Sequence, residues 1–181
     1  MSRALFLDRD GTVIVHRPYL HRPEEVEVMP GVAPALRRAR AGGWKLFLFT
    51  NQSGVGRGLF SVADAEAVNR RMIELLGLGP DLFAGSCIAP EAPGEPSLYR
   101  KPSPRFIVES LGTHQLSADH CWMIGDTPSD WRAGLAAGIH ACAVRSDLTS
   151  PESERTRHDL KVPLFDNLDL AFAHIEALLV A

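Results

Sequence analysis

Polar side chains that can bind metals or phosphate follow several predicted strands at the points where those strands end. They are Asp8 and Asp10 after the first apolar run, Thr50 and Asn51 after the second, and Asp126 after the fourth. Lys101 precedes a predicted helix at the same edge. Because ligands of open parallel sheets bind beyond the carboxyl ends of the strands, we expect these residues to share one site.

Carboxylates this close repel one another unless a cation lies among them, and Mg²⁺ accepts such hard oxygen ligands beside a phosphate. We therefore predict Mg²⁺ as the cofactor. With the metal and Lys101 neutralising phosphate charge, Asp8 is the predicted nucleophile, which attacks phosphorus and forms an aspartyl-phosphate. Asp10 is the predicted acid and base, since it can protonate the leaving oxygen and later take a proton from water. Thr50 is expected to donate to the phosphoryl oxygens.

The elements that must position these residues alternate along the chain. Short apolar runs alternate with helical patterns, which predicts an α/β fold with a parallel sheet covered by helices on both faces. The predicted strands span 4–8, 45–50, 85–89, 121–126, 140–145 and 162–165. The predicted helices span 31–41, 61–76, 103–111, 127–137 and 167–180, with Pro104 and Pro128 at first helical positions. Residues 13–28 and 90–98 are predicted loops over the sheet, and 146–161 is a predicted polar connector.

Composition limits the class of protein. A chain of 181 residues predicts one domain spanning 1–181. The net charge of -3 lacks the basic excess of a nucleic-acid binder, so we expect no nucleic-acid partner. No apolar run approaches the roughly 20 residues that span a bilayer, so no membrane partner is expected. Three cysteines without paired spacing indicate a reducing cytoplasm. A monomer is expected.

Four motifs occur in order along the chain. They are Asp8-Arg9-Asp10-Gly11-Thr12, Thr50-Asn51-Gln52-Ser53-Gly54, Arg100-Lys101-Pro102 and Gly125-Asp126-Thr127-Pro128-Ser129-Asp130. With them the chain resembles the haloacid dehalogenase-like phosphohydrolases over nearly its whole length. Their combination is similar to the branch of heptose bisphosphate phosphatases and histidinol-phosphate phosphatases.

The resemblance implies roles for the motif residues. Mg²⁺ is expected on Asp8, Asp126 and the backbone carbonyl of Asp10. The residues expected to bind the substrate are Thr50, Asn51, Gln52, Ser53 and Lys101 at the phosphate, and Arg100 at the rest of the molecule. Asp130 is equally compatible with a helix cap and with a place beside the metal ligands.

Motif spacing favours a Rossmann-like member of this family without a separate cap domain. Only 39 residues lie between Asp10 and Thr50, and 50 lie between Thr50 and Lys101, and the predicted elements use up most of both intervals. Substrate specificity is then expected from loops. These are 13–28 with Tyr19 and His21, 54–60 with Arg57, and 90–98.

The chain departs from its branch at the zinc site. Members with structural zinc carry Cys-x-His and Cys-x-Cys pairs, whereas this chain has Cys87-Ile88-Ala89 and Ser97-Leu98-Tyr99. Because one cysteine cannot make a tetrahedral zinc site, we predict no zinc. The loss leaves the identity of the substrate open.

The predicted activity is hydrolysis of a small phosphorylated metabolite, foremost a sugar phosphate such as D-glycero-D-manno-heptose 1,7-bisphosphate. Alternatives are histidinol phosphate, and phosphorylated nucleic-acid ends or phosphoprotein, because an uncapped site admits large substrates. A receiver-like phosphoacceptor also combines an acidic group, a threonine and a lysine. A receiver, however, carries its phosphorylated aspartate after the third strand, and no aspartate ends the third strand here.

Overall fold

A single parallel sheet organises the part of the chain that the computed structural model describes, residues 2–179. Its strands are β1 (Ala4–Leu7), β2 (Lys45–Asn51), β3 (Gly85–Ala89), β4 (Cys121–Gly125), β5 (His140–Val144) and β6 (Leu164–Phe165). Within residues 2–179 these six strands are all parallel, in the order β3-β2-β1-β4-β5-β6. The order reverses between β1 and β4, which is the switch point where such sheets bind ligands.

Helices connect the strands. They are α1 (Val32–Ala41), α2 (Ser53–Gly56), α3 (Val62–Leu76), α4 (Arg105–Thr113), α5 (Pro128–Ala136), α6 (Pro151–Asp159) and α7 (Leu168–Leu178). Ser61 and Asp64 cap α3 reciprocally, and Gly77 ends it in the left-handed region with φ 64°. Pro104 lies at the N-cap of α4 instead of its first helical position. The predicted end of α7 at Val180 lies outside the described residues.

Apolar side chains pack on both faces of the sheet, which confirms the predicted fold class. Along β1, Leu5 and Leu7 face a core shared with α1, α3 and α7, whereas Phe6 faces the core under α4 and α5. The ring of Phe6 stacks on Phe47 of β2 with centroids 4.7 Å apart. Burial of apolar surface on both sides stabilises the strands by about 25 cal/mol per Å². The sheet therefore holds the strand ends in fixed positions.

The sequence missed one helix in a connection and predicted another connection as a loop. The predicted polar connector 146–161 contains helix α6, which has no apolar stripe and buries only Ser153 among its described residues, so periodicity could not reveal it. The predicted loop 13–28 is a loop in the structure, with a short 3-10 helix at Pro23–Glu25 and isolated bridges at Ile14 and Val28. Its apolar side chains Val13, Ile14 and Leu20 are buried in the core.

Within residues 2–179, none of the helices combines the length and the apolar character needed to cross a bilayer.

Candidate active site

A buried group of charges lies at the carboxyl ends of β1 and β4. Lys101 is 4% exposed, and its ammonium Nζ lies 2.5 Å from Oδ1 of Asp8 and 2.6 Å from Oδ1 of Asp130. The same ammonium donates to the backbone carbonyl of Phe49 at 2.7 Å. The ammonium thus donates hydrogen bonds to Asp8 and to Phe49 and forms an ion pair with Asp130 as well. Lys101 is therefore fixed relative to both carboxylates.

Lys101 and Asp8 shift each other's pKa. Burial raises the pKa of the Asp8 carboxyl well above its usual range, and the nearby Lys101 partly lowers it again. Burial alone would lower the pKa of Lys101, but the Asp130 and Asp8 carboxylates raise that pKa above its ordinary value. Lys101 thus keeps its positive charge and favours the ionised form of Asp8.

Backbone hydrogen bonds and two glycines place the carboxylates. The Asp8 N–H donates to the carbonyl of Ile124 at 3.0 Å, which extends the pairing of β1 with β4 into the site. Gly11 adopts φ 85°, and a Cβ atom there would clash with the Asp126 carboxylate. A Cβ atom on Gly125 would clash with Asp130 in the same way. These positions need glycine because carboxylates fill the space that a side chain would occupy.

The carboxylates fit a divalent cation. Within residues 2–179, Asp8, Asp126 and Asp130 each offer an oxygen, and these oxygens lie within 4.8 Å of one another. Oδ1 of Asp126 is buried and has no hydrogen-bond partner among the described residues. Burial, together with the Asp130 charge, raises the pKa of Asp126 to about 7. A bound cation would satisfy the free oxygen and stabilise the ionised carboxylates, and oxygen donors of this kind suit Mg²⁺.

The Asp10 carboxylate lies apart from that group and faces the cavity. Arg9 donates to it twice, from Nε to Oδ2 at 3.0 Å and from Nη2 to Oδ1 at 3.2 Å. Gln52 donates from Nε2 to Oδ2 at 2.9 Å and also to the hydroxyl of Thr50 at 2.7 Å.

Arg9 was not predicted as a site residue. Its side chain is fully buried, and Nη1 donates to Oδ1 of Asn69 on α3 at 3.0 Å. Arg9 therefore joins the Asp10 carboxylate to a helix behind the site. The sequence carries a signal for Arg9, an arginine between two aspartates directly after a buried strand, but none for its partner Asn69.

Asn51 contacts the backbone of Lys101 through both polar atoms of its side-chain amide. Its amide Nδ2 donates to the backbone carbonyl of Lys101 at 3.1 Å, and its Oδ1 accepts from the Lys101 backbone N–H at 2.9 Å. The side chain of Asn51 thus aligns the backbone that carries Lys101. The predicted substrate-binding residues of this strand end all line the cavity; they are Thr50, Asn51, Gln52 and Ser53.

Asp130 caps helix α5 with one oxygen and pairs with Lys101 through the other. Its Oδ2 accepts from the Thr127 backbone N–H at 3.0 Å and from the Thr127 hydroxyl at 2.7 Å, as expected of a capping box. Its other oxygen pairs with Lys101. The helix cap of α5 therefore also positions the ammonium at the site.

Arg100 is not among the residues that line the cavity. Its Nη1 donates to the backbone carbonyl of Glu91 at 2.9 Å, and its backbone N–H donates to the hydroxyl of Ser97 at 2.9 Å. Arg100 thus holds the 90–98 loop together in this structure. Cys87 lies on β3 beside this loop as a free thiol, and burial raises its pKa to about 11.

A cavity of about 430 Å³ opens above the charged group. This volume lies within the range of about 300–1,000 Å³ that is typical of small-molecule sites. The wall of the cavity that loops supply is formed by His16, Arg17, Pro18, Tyr19, Leu20, Phe60 and Leu148. His21 does not line the cavity but stacks on Phe60, with ring centroids 5.5 Å apart. Arg57 is not a lining residue either.

Ser146 is a further residue that the sequence did not single out. It follows β5, and its hydroxyl donates to Oδ2 of Asp126 at 2.6 Å. The hydrogen bond favours the ionised carboxylate and lowers the pKa of Asp126 against the larger effect of burial.

Comparisons with known proteins agree on one family. A family model described as HAD-hydrolase-like matches residues 98–171. The chain is 36% identical over 156 residues to the D-glycero-beta-D-manno-heptose-1,7-bisphosphate 7-phosphatase of Helicobacter pylori, an alignment that covers 84% of this chain and 90% of that protein. It is 31% identical to the D-glycero-D-manno-heptose-1,7-bisphosphate 7-phosphatase of Thermosynechococcus vestitus, over 94% of this chain and 92% of that protein.

A solved structure shares the fold over its whole length. The D,D-heptose 1.7-bisphosphate phosphatase from B. bronchiseptica, complexed with magnesium and phosphate, matches with a TM-score of 0.82 and 25% identity, over 98% of each chain. The chain belongs to the haloacid dehalogenase-like phosphatases.

Proposed function

We propose that this enzyme removes the phosphate at carbon 7 of D-glycero-D-manno-heptose 1,7-bisphosphate. The observation that carries the proposal is the buried ion pair of Asp8 and Lys101 beneath a cavity that also exposes Asp10. The relatives named as 7-phosphatases of this sugar bisphosphate support the choice of substrate. The volume of the cavity suits a small phosphorylated sugar better than a protein or nucleic-acid chain.

In the first step, a carboxylate oxygen of Asp8 bonds to phosphorus while the bond from phosphorus to the sugar oxygen breaks. Lys101 holds Oδ1 of Asp8 at 2.5 Å and so fixes the orientation of the nucleophile. Asp10 donates a proton to the departing sugar oxygen. Asp10 then takes a proton from water, whose oxygen attacks phosphorus, releases inorganic phosphate and restores Asp8.

Mg²⁺ would be held by Asp8, Asp126 and the backbone carbonyl of Asp10. The magnesium and phosphate in the B. bronchiseptica structure support this assignment. When bound, the ion neutralises charge on the phosphate oxygens. We propose that no zinc is needed, because Arg100 already holds the 90–98 loop through hydrogen bonds to Glu91 and Ser97.

We propose that Thr50, Gln52 and Ser53 contact the phosphate, and that Asn51 acts mainly by aligning Lys101. Arg100 would contact the rest of the substrate only after leaving the Glu91 carbonyl. We further propose a monomeric cytoplasmic enzyme, since one chain supplies all these residues and its three cysteines are free thiols. No nucleic-acid partner is expected.

The proposal is tested by ranking substrates by kcat/KM in Mg²⁺. The panel contains both anomers of the heptose 1,7-bisphosphate, the corresponding monophosphates, histidinol phosphate and a 5′-phosphorylated oligonucleotide. Phosphorus NMR shows which phosphate is lost. We expect the highest efficiency on a 1,7-bisphosphate, with loss of the phosphate at carbon 7. A higher efficiency on histidinol phosphate or on the oligonucleotide would contradict the proposal. Asp8→Asn serves as the control for contaminating phosphatases.

A further inference from the structure

We propose that Ser146 is a positioning residue that orients Asp126 toward the bound cation. The inference rests on the proposed Mg²⁺ site. It assigns to β5 a part in that site, although none of the four motifs lies on β5. Ser146 itself would not touch the ion.

The direction of the hydrogen bonds around Ser146 is fixed. The backbone N–H of Leu148 donates to the Ser146 hydroxyl oxygen at 3.1 Å. A hydroxyl has a single proton to donate. Oδ2 of Asp126 lies 2.6 Å away and, in the ionised carboxylate that binds a cation, can only accept, so that proton goes to the carboxylate.

This bond distinguishes the two oxygens of Asp126. Oδ2 is occupied by Ser146, whereas Oδ1 is buried without a hydrogen-bond partner among the described residues. An oxygen of Asp126 lies within 4.8 Å of oxygens of Asp8 and Asp130, and rotation of the carboxylate would break the short bond to Ser146 and displace both of its oxygens. Ser146 therefore holds the free oxygen where a cation can bind it.

The backbone keeps Ser146 in place on both sides. The preceding residue, Arg145, donates its N–H to the Phe165 carbonyl at 2.9 Å, which extends the pairing of β5 with β6. The Ser146 N–H donates to the Thr149 hydroxyl at 3.3 Å, and the Thr149 N–H donates to the Ser146 carbonyl at 3.2 Å. The hydroxyl thus lies on a turn anchored to the sheet.

The test compares Ser146→Ala with Ser146→Thr, which keeps a hydroxyl. Ser150→Ala is the matched control, because Ser150 caps α6 through Ser153 in the same segment and does not contact Asp126. The dissociation constant for Mg²⁺ alone is measured by calorimetry without substrate. We expect about 10- to 100-fold weaker binding in Ser146→Ala, the usual effect of removing a group that orients a metal ligand. Binding close to the wild type is expected in Ser146→Thr and Ser150→Ala.

An unchanged dissociation constant in Ser146→Ala would overturn the inference, as would an equal loss in Ser150→Ala. If the alanine variant does not fold, the dissociation constant for Mg²⁺ is measured in Ser146→Cys instead. The thiol is a weaker donor than the hydroxyl, so we expect an intermediate loss of Mg²⁺ affinity, and an unchanged affinity would overturn the inference. Because the dissociation constant for Mg²⁺ is measured without substrate, it can contradict the role of Ser146 without contradicting the proposed substrate. A wild-type chain that binds Mg²⁺ but does not hydrolyse the heptose bisphosphate would contradict only the latter.

Discussion

Two sides of the same cavity are built in different ways. The buried side consists of Asp8, Lys101 and Asp126, all less than a tenth exposed, and Lys101 forms ion pairs of 2.5 Å with Asp8 and of 2.6 Å with Asp130, which does not line the cavity. The wall that loops supply includes Tyr19 and Leu148, which are 45% and 43% exposed. The wall is held by loop turns and by the stacking of His21 on Phe60.

We expect the buried side to carry out the reaction and the wall to select the substrate. On the buried side, removal of one charge leaves another charge buried without its partner, so its members depend strongly on one another. On the wall, exposed side chains make contacts of small individual value. We expect changes on the buried side to affect turnover and stability together, and changes on the wall to affect mainly the KM for the sugar.

The largest effect is expected for Lys101→Met, which keeps the length of the side chain but removes its charge. Asp8 and Asp130 would then be buried without their cation. We expect the free energy of unfolding to fall by about 3–5 kcal/mol in metal-free buffer, together with loss of phosphatase activity. Urea unfolding in EDTA measures the first effect.

Lys45→Met is the matched control for this change, since Lys45 begins β2 and is exposed. It should alter stability by no more than about 0.5 kcal/mol, as is usual for surface positions. Equal unfolding midpoints for the two variants would show that the buried ion pairs do not hold the site.

Asp126→Asn is expected to raise the stability of the metal-free chain while it removes the stabilisation by Mg²⁺. In the unfolded chain Asp126 ionises near its ordinary pKa of 3.8, but in the folded metal-free chain its pKa is about 7. The folded state therefore loses stability as the pH rises between these values, and the loss persists above them. The asparagine cannot ionise, so its melting temperature in EDTA near pH 8 should exceed that of the wild type.

The wild type should regain stability when Mg²⁺ is added, because a ligand that binds only the folded state stabilises it. Asp126→Asn should show almost no such gain. If the variant melts below the wild type in EDTA at both low and high pH, the burial penalty on Asp126 is not the dominant effect.

The smallest effect is expected for His21→Ala, because His21 supports the wall residue Phe60 without lining the cavity itself. Loss of the ring stack with Phe60 removes about 0.5–1.5 kcal/mol of interaction. We expect a rise of about 2- to 10-fold in KM for the sugar phosphate, with kcat nearly unchanged. His158→Ala, on α6 and remote from the cavity wall, provides the control. A fall in kcat of the size expected on the buried side would contradict the division between the two sides.

The sequence predicted the fold and the position of the acidic group for a common reason. Hydrophobic periodicity reveals the strands, and polar residues directly after a strand must lie at its carboxyl end. Asp8, Asp10 and Asp126 could therefore be placed together. The left-handed glycine beside them, Gly11, belongs to the same local motif.

Contacts between distant segments could not be predicted in this way. Asn69 lies on a helix whose apolar spacing indicates only a core face, and nothing local shows that its amide meets Arg9. The link from Ser146 to Asp126 likewise depends on the order of strands in the sheet. Helix α6 was missed because it is polar around its whole circumference and lacks the stripe that marks a packed helix.

The most direct test of the account is to trap the phosphoryl group on Asp8. In Asp10→Asn, an aryl phosphate with a good leaving group should still phosphorylate Asp8, while release of the intermediate is slowed by the loss of the base, an effect on the order of 10²- to 10⁴-fold. Rapid quenching followed by peptide mass spectrometry should then find the phosphoryl group on Asp8. Stoichiometric release of the aryl alcohol with phosphate on another residue, or on none, would contradict the account.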